Sequence, residues 1–485
     1  MNKLRILFLS SEIAPFAKTG GLADVGGSLP KALRELGHDV RVVMPAYANI
    51  ETQIYNRSGG FKVLPPISVP VAGTRLPAGV FENKLPASDV TAYFIAEGSL
   101  FNRMNLYGYH DDPYRFAFFC RAALELTRVL GWKPDLVHAN DWHTAPAITW
   151  LATAAQSDDF LRDIPTLFTI HNLAHQGHSD WGIFDYLGIQ SYRLAEEGYN
   201  EVNWMARGIH HATLINTVSP TYAREILTAA GGSGMDALLR HRSADLHGIL
   251  NGIDYDEWNP QTHSSLPQNY NADQLELRLQ NKLKLQERAG LQPNPDIPLV
   301  GMVTRLDRQK GMDITGQVIH LLMNGFAGES QFVLLGTGAA EYHEMLLQLG
   351  VYYRPNMHPF LTYDADLAHL IYAGSDLLLM PSLFEPCGLG QLIAMRYGCV
   401  PVVRATGGLA DTVRDGETGF TFYEYNSEAF FQAVQRAIYL YRTDKAAWQA
   451  IQRAGMLSDF SWTRSALGYQ QLYQWAAARV HLPGD

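Results

Sequence analysis

The chain is predicted to be an α/β protein of two domains, each a parallel sheet covered on both faces by helices. Three observations carry the prediction. Apolar runs of strand length alternate with stretches of helical periodicity through most of the 485 residues, the pattern of buried parallel sheets. The hexapeptide Thr-Gly-Gly-Leu-Ala-Asp occurs twice, at Thr19–Asp24 and Thr406–Asp411, once near each end. A turn-rich segment, Asn251–Pro260, lies midway and reads as the hinge. A chain of this length is too long for one core, so two or three domains are expected.

The elements follow in order. Leu4–Leu9 is an apolar run, Leu22–Leu36 has helical spacing ending at Gly37, and Val40–Met44 is the next strand. Together they make a βαβ unit around the first Gly-Gly turn. From Gly60 to Ala96, β-branched residues mixed with Pro and Gly read as hairpins. Alternation then resumes with a helix over Tyr114–Leu130 and strands at Asp135–His138, Thr166–Ile170 and Leu214–Val218. Beyond the hinge, buried-strand runs stand at Leu299–Val303, Phe332–Leu335, Leu377–Met380 and Val400–Val403, with helices at Ala365–Ala373 and Gln391–Tyr397. An amphipathic helix over Trp462–Val480 ends the pattern. The domains are placed at residues 1–255 and 256–460, with the last helix in 461–485.

Composition narrows the function. A content of 47% hydrophobic and 18% charged residues is that of an ordinary soluble globular protein. A formal net charge of −10 argues against a nucleic-acid partner or an anionic membrane surface, although a few local cations can still hold a small anion. Cys120, Cys387 and Cys399 are too widely spaced for a disulfide framework or a CxxC metal site, which points to a reducing compartment. The first apolar run meets Ser10, Ser11 and Glu12 too soon for a secretory core. No uninterrupted apolar run reaches spanning length.

In open α/β sheets, ligands bind at the carboxyl ends of the strands, so the segments after strands are the candidates. A Gly-Gly step lets backbone N–H groups approach an anion, and a helix N-terminus favours negative charge. Gly20 and Gly21, after Lys18, make one such turn, and Thr406, Gly407 and Gly408 make the other. Two turns, one per half, suggest two nucleotide-fold domains facing one phosphorylated ligand. Arg305 and Lys310 follow the strand Leu299–Val303 and could together neutralise a diphosphate. Alone they read equally well as a solvated basic turn. The Gly-Gly turn of the same half favours the ligand.

Glu385-Pro386-Cys387-Gly388-Leu389 follows Leu377–Met380 and opens a helix. Glu385 suits sugar hydroxyls, or it merely compensates a helix start, and the N–H groups of Gly388 and Leu389 would face outward. Cys387 is expected to be buried near the ligand. His138-Ala139-Asn140-Asp141-Trp142-His143 and His171-Asn172 place His and Asp at two further strand ends. A polar pocket is the better reading there, since no Cys or HExxH partner completes a metal set.

These motifs resemble those of the bacterial glycogen synthases and plant starch synthases, in order and over nearly the whole length. They are Lys18-Thr-Gly-Gly-Leu22, His138–His143, Thr169-Ile-His-Asn-Leu173, Val218–Ala223, Leu250-Asn-Gly-Ile-Asp254, Arg305 with Lys310-Gly311, Glu385–Leu389 and Thr406–Thr412. The resemblance implies a GT-B fold, with two Rossmann-like domains facing a central cleft and the last helix returning to the first domain. It implies retaining transfer of glucose from a nucleoside diphosphate glucose, usually ADP-glucose, to the non-reducing end of an α-1,4-glucan, with no metal or other cofactor. UDP-glucose stays open as donor, because Tyr363, implied as the stacking aromatic, suits either base.

Residue by residue, Arg305 and Lys310 are implied to hold the diphosphate and Glu385 the glucose hydroxyls. Asp141 and His171 would line the reaction centre, and Lys18 with its Gly-Gly turn would reach the diphosphate on closure. Asn251, Cys387, Gly388, Leu389, Thr406, Gly407 and Gly408 complete the implied donor site. The expected setting is the cytoplasm, or the plastid stroma in a plant-like source. Three departures stand out: Asn140 where His is frequent, His175 where Tyr is frequent, and Gly390 where a hydroxyl residue is frequent. None removes a charged group, and Gly390 has no side-chain hydroxyl to offer a ligand. A phosphorylase, an epimerase or a non-catalytic glucan-binding scaffold on the same fold are the alternatives. A pyridoxal lysine site is not evident, and Lys18, Arg305, Lys310 and Glu385 are all present. A dehydrogenase is disfavoured because no complete GxGxxG with a downstream acid follows the first strand.

Overall fold

The structure is a computed structural model that describes residues 3–56, 58–198 and 200–480. The chain divides into two compact units, Met1–Gly252 with Trp462–Asp485, and Ile253–Ser461.

In the first unit the strands are β1 (Arg5–Leu9), β2 (Asp39–Pro45), β3 (Lys62–Val71), β4 (Thr74–Lys84), β5 (Thr91–Ala96), β6 (Leu136–Asn140), β7 (Thr166–Ile170), β8 (His178–Ser179), β9 (Val202–Asn203), β10 (Leu214–Thr217) and β11 (Leu246–Gly248). Nine form one sheet in the order β11-β10-β7-β6-β1-β2-β5-β4-β3, and β8 and β9 pair separately among the described residues. All neighbours from β11 to β5 are parallel. The hairpin region is the exception: β4 runs antiparallel to both β3 and β5. Its turn is Ala72-Gly73, both at positive φ, as a two-residue hairpin turn demands. On the edge strand β3 the register slips between Leu64 and Ile67, where Pro65 and Pro66 have no N–H to give to the ladder.

The second unit holds β12 (Leu299–Val303), β13 (Gln331–Leu335), β14 (Met357–Phe360), β15 (Leu377–Met380), β16 (Val400–Arg404) and β17 (Phe420–Phe422). They are all parallel, in the order β14-β13-β12-β15-β16-β17. Side chains alternate across a sheet, and here the alternation feeds two separate cores. Leu299, Val333, Leu378 and Val403 join one cluster, while Val300, Phe332, Leu377 and Val402 join the other. Both faces are therefore buried, which is why these strands read in the sequence as unbroken apolar runs rather than as alternating ones.

The helix Trp462–Val480 belongs to the first unit. Trp462, Ala466, Tyr469, Leu472, Tyr473 and Ala476 are buried in that unit's core, at helical spacing. No helix among the described residues is long and apolar enough to cross a membrane.

Candidate functional site

In the first unit the carboxyl ends of β1, β6 and β7 carry the polar groups. After β1 the chain reaches Glu12, which is only 4% exposed. Its carboxylate accepts the N–H of Thr19, the Thr19 hydroxyl at 2.6 Å, the N–H of Gly20 at 3.2 Å and the Tyr107 hydroxyl at 2.7 Å. Glu12 thus gathers the donors of the first Gly-Gly turn and holds it ahead of the helix Gly21–Glu35. Gly20 is the N-cap of that helix, and a Cβ built on it would meet nothing within 4 Å. The turn Lys18–Gly21 is exposed. Lys18 Nζ lies 2.5 Å from Asp24 Oδ1, in the first turn of the helix.

Asp141 follows β6 with φ 56°, ψ 176°, a strained conformation for a residue with a side chain. Its N–H donates to Thr169 O at 2.9 Å, and its Oδ1 accepts the His171 N–H at 2.7 Å. Burial pushes the Asp141 carboxyl up to about 7; N–H donors from His171 and Asn172 oppose that rise, and the charge of Glu12 adds to it. The His171 ring is lowered to about 3 by burial, so it is neutral. The Asn140 amide donates to Leu9 O at 2.8 Å, which turns its Oδ1 toward His171 Nε2, 2.9 Å away. That contact requires the Nε2–H tautomer and leaves Nδ1 as the accepting side of the ring.

His138 and His143 are buried with pKa values well below the ordinary range. His143 packs among Trp142, Phe116 and Tyr107 and serves the core. Among the described residues no group of three or more His, Cys, Asp or Glu side chains could hold a metal ion. Asn251 is 5% exposed, and its Oδ1 is buried without a hydrogen-bond partner.

In the second unit three loops meet at the strand ends. After β12, the Asp307 side chain accepts the Lys310 N–H at 3.0 Å. Gly311 follows at φ +77°, so close to the neighbouring loop that a Cβ would sit 2.2 Å from Pro381 O. Leu383 N–H donates to Gln309 O at 2.8 Å. These backbone contacts bring Lys310 Nζ to 2.6 Å from Glu385 Oε2, which also accepts from Ser382 Oγ at 3.0 Å. Glu385 is buried. Arg305 reaches Asp307 at 3.3 Å and Gln309 at 3.4 Å, but 58% of its side chain stays exposed.

The second hexapeptide closes this cluster, in a register different from the first. Thr406, not a glycine, is its N-cap, and Gly407 stands at φ +46°. A Cβ on Gly407 would lie 1.9 Å from Glu385 O, and one on Gly408 would lie 2.1 Å from Cys387 O. The Gly408 N–H donates to Glu385 O and Pro386 O at 3.1 and 3.2 Å. Here the sequence expectation is corrected: this N–H is committed to the Glu385 loop and is not an outward-facing anion donor. The second turn is a backbone clamp on Glu385.

Gly388, at φ +73°, lies beside Gln391, whose amide donates to Cys387 O and Gly388 O. Cys387 is buried, Leu389 is partly buried, and Tyr363 is 80% exposed beyond β14. Sequence reasoning missed Gly336 and Gly338, after β13. Their absent Cβ atoms would lie 2.0 Å from Thr304 O and 2.3 Å from Leu306 O, so they let the β13 loop lie flat on the Arg305 segment. Gly-Thr-Gly directly after a buried strand was the available signal. Glu12 and Asn140 were missed as organisers of the first unit.

Cations and a carboxylate clustered at the strand ends of one Rossmann-like unit, and a buried Asp and His at those of another, are the equipment of a GT-B glycosyltransferase. The family description "Starch synthase catalytic domain" matches residues 5–241, and "Glycosyl transferases group 1" matches 284–453. A glycogen synthase of Moorella thermoacetica is 44% identical, covering 98% of this chain and 97% of that protein. One from Geotalea daltonii is 42% identical over 98% and 99%. The catalytic domain of starch synthase IV from Arabidopsis thaliana, solved bound to ADP and acarbose, superposes with a TM-score of 0.90 at 35% identity, covering 99% of this chain and all of that one. The chain belongs to the glycogen and starch synthase family, and it is a hexosyltransferase.

Proposed function

We propose that the chain transfers glucose, with retention, from ADP-glucose to the non-reducing end of an α-1,4-glucan. The observation that carries the reading is the Lys310–Glu385 pair beside Arg305. The choice of ADP is supported by the ADP bound to the starch synthase IV structure.

In this reading Arg305 and Lys310 bind the donor diphosphate and stabilise the charge that develops on it as the glycosidic bond breaks. Glu385 accepts glucose hydroxyls, its backbone held by Gly408. Cys387, Gly388, Leu389 and Thr406 shape the same loop. Tyr363, exposed and planar, stacks on the base. Lys18 offers a cation to phosphate oxygens, and the helix-start N–H groups after Gly20, whose own N–H is held by Glu12, offer donors. Asn251 Oδ1, buried and unpartnered, accepts from the donor sugar nucleotide.

The transferred sugar acquires oxocarbenium character, as in glycoside hydrolysis. Asp141 and His171 act on that sugar: the neutral His171 through its ring or its backbone carbonyl, and Asp141 as a carboxyl poised near neutrality. No carboxylate is assigned as a nucleophile, and the departing phosphate takes the acceptor proton on the same face. Three widely spaced, buried cysteines suit a reducing, cytoplasmic setting.

The test is glucose incorporation into glycogen from ADP-glucose and UDP-glucose in parallel, with EDTA present, for wild type and Lys310→Ala. Incorporation from ADP-glucose that survives EDTA and collapses in the variant supports the reading. Incorporation from UDP-glucose alone, or an active Lys310→Ala, overturns it.

A further inference from the structure

An apolar stripe would be enough to hold the helix Trp462–Val480 on the first unit, yet four of its buried side chains carry hydroxyl or amide groups: Ser465, Tyr469, Gln470 and Tyr473. Ser465 Oγ donates to Leu250 O at 2.6 Å. Gln470 Nε2 meets His38 Nε2 at 3.1 Å, and His38 Nδ1 accepts the Leu4 N–H before β1. The two tyrosine hydroxyls meet β6, which leads to Asp141, and β10, which flanks the strand that leads to His171. Tyr473 OH lies 2.8 Å from His138 Nδ1 on β6. His138 Nε2 lies 2.6 Å from Thr169 Oγ1 on β7. Thr169 Oγ1 donates to Asn216 Oδ1 on β10 at 2.5 Å, and Asn216 Nδ2 donates to Tyr469 OH at 3.2 Å.

These contacts have one direction. The single hydroxyl proton of Thr169 goes to Asn216, so Thr169 accepts from His138, which must carry its proton on Nε2. His138 Nδ1 then accepts from the Tyr473 hydroxyl. All five side chains have 0% exposure. The chain needs a neutral imidazole, and burial keeps His138 neutral. In such a network each link polarises the next, and a missing member leaves a buried group unsatisfied.

Its position gives it a use. His138 and Asn140 share one face of β6, two residues apart, and Thr169 and His171 likewise share a face at the end of β7. The contacts His138–Thr169 and Asn140–His171 are successive rungs across one strand pair, with Asn140 paired to Thr169. We propose that Tyr473 and Tyr469 are positioning residues for the transfer reaction. Through His138, Thr169 and Asn216 they set the spacing of the β6 and β7 ends, and with it the Asp141–His171 contact. The inference rests on the role proposed above for Asp141 and His171.

Steady-state kinetics of glucose incorporation test it at a temperature well below every variant's melting point. Tyr473→Phe and Tyr469→Phe are expected to lower kcat about ten- to a hundredfold with the KM for ADP-glucose unchanged. Tyr473→Phe combined with Thr169→Val should be no slower than the worse single variant, because the chain acts as a unit. Gln470→Leu, on the same helix but outside the chain, should lower the melting point and leave kcat intact. Wild-type kcat in both tyrosine variants, multiplying losses in the double variant, or an equal kcat loss in Gln470→Leu would overturn the proposal. If Tyr473→Phe does not fold, Tyr469→Phe reads the same chain from its other end. His171→Ala separates the two claims: if it is inactive while the tyrosine variants are fully active, only the positioning proposal fails; if it is fully active, the proposed site fails and the positioning role falls with it.

Discussion

Lys310 Nζ and Glu385 Oε2 lie 2.6 Å apart at the ends of two adjacent strands, with 19% and 7% of their side chains exposed. Removing one partner strands the other charge in a site that is largely dry. Glu385→Leu alone is expected to destabilise the second unit by about 3 kcal/mol. The double variant Glu385→Leu, Lys310→Met should unfold near the wild-type denaturant midpoint, since a hydrophobic pair of similar volume replaces the ions. Both should be inactive. Denaturant titration beside an activity assay checks this, and a double variant no more stable than the single one would contradict it.

Asp141 gives a pH-dependent signature. Its folded pKa, about 7, stands above the unfolded value near 4. The protonated form is therefore favoured by folding. Its contribution to stability is full below pH 4 and is lost as pH rises through 7, by at most about 4 kcal/mol. Asp141→Asn keeps the oxygen that accepts the His171 N–H but cannot ionise. It should raise the melting point relative to wild type at pH 8, with the gain vanishing near pH 4, while activity falls. Melting curves of both proteins across that range decide the point.

The two glycine turns should respond oppositely to one methyl group. Gly407→Ala forces a Cβ against Glu385 O at a positive φ and should destabilise by more than about 3 kcal/mol, with loss of activity. Gly20→Ala meets open space in extended backbone and should change stability by less than about 0.5 kcal/mol. Any rise in its KM for the donor would then report a ligand close to the backbone. Melting points and donor KM values for the two variants are the measurements.

Cys120, Cys387 and Cys399 are buried, and burial raises the Cys120 and Cys399 thiols well above their ordinary range. A thiol reagent should label none of them quickly in the native protein and all three in denaturant. Fast labelling without denaturant would show that one of the burials is wrong.

The strands were the legible part of the fold. Thr166–Ile170, Leu299–Val303 and Leu377–Met380 are read from the sequence at the bounds they have in the structure, because a parallel sheet buried on both faces leaves short, mostly apolar or β-branched runs to read. The motif residues were legible too, by resemblance. Glu12 and Asn140 were not, since each acts on backbone or side-chain groups that only folding brings near. The repeated hexapeptide misled in the other direction. Identical residues start a helix at Gly20 in one copy and at Thr406 in the other, because the second copy is pinned by the carbonyls of the Glu385 loop. Six matching letters carried no record of that neighbour.

The first unit is also discontinuous in the chain, beginning at the N-terminus and finishing with the helix that follows Ser461. On the ribosome its nine-stranded sheet emerges early, but the tyrosines that close its buried network are made after the entire second unit. Until then His138 and Asn216 lack the Tyr473 and Tyr469 hydroxyls, so this half completes its buried network only after the second unit has been made, against the usual order in which the leading domain folds first. A fragment ending at Gly252 should accordingly behave as an incomplete protein that the missing helix, supplied as a separate peptide, could restore.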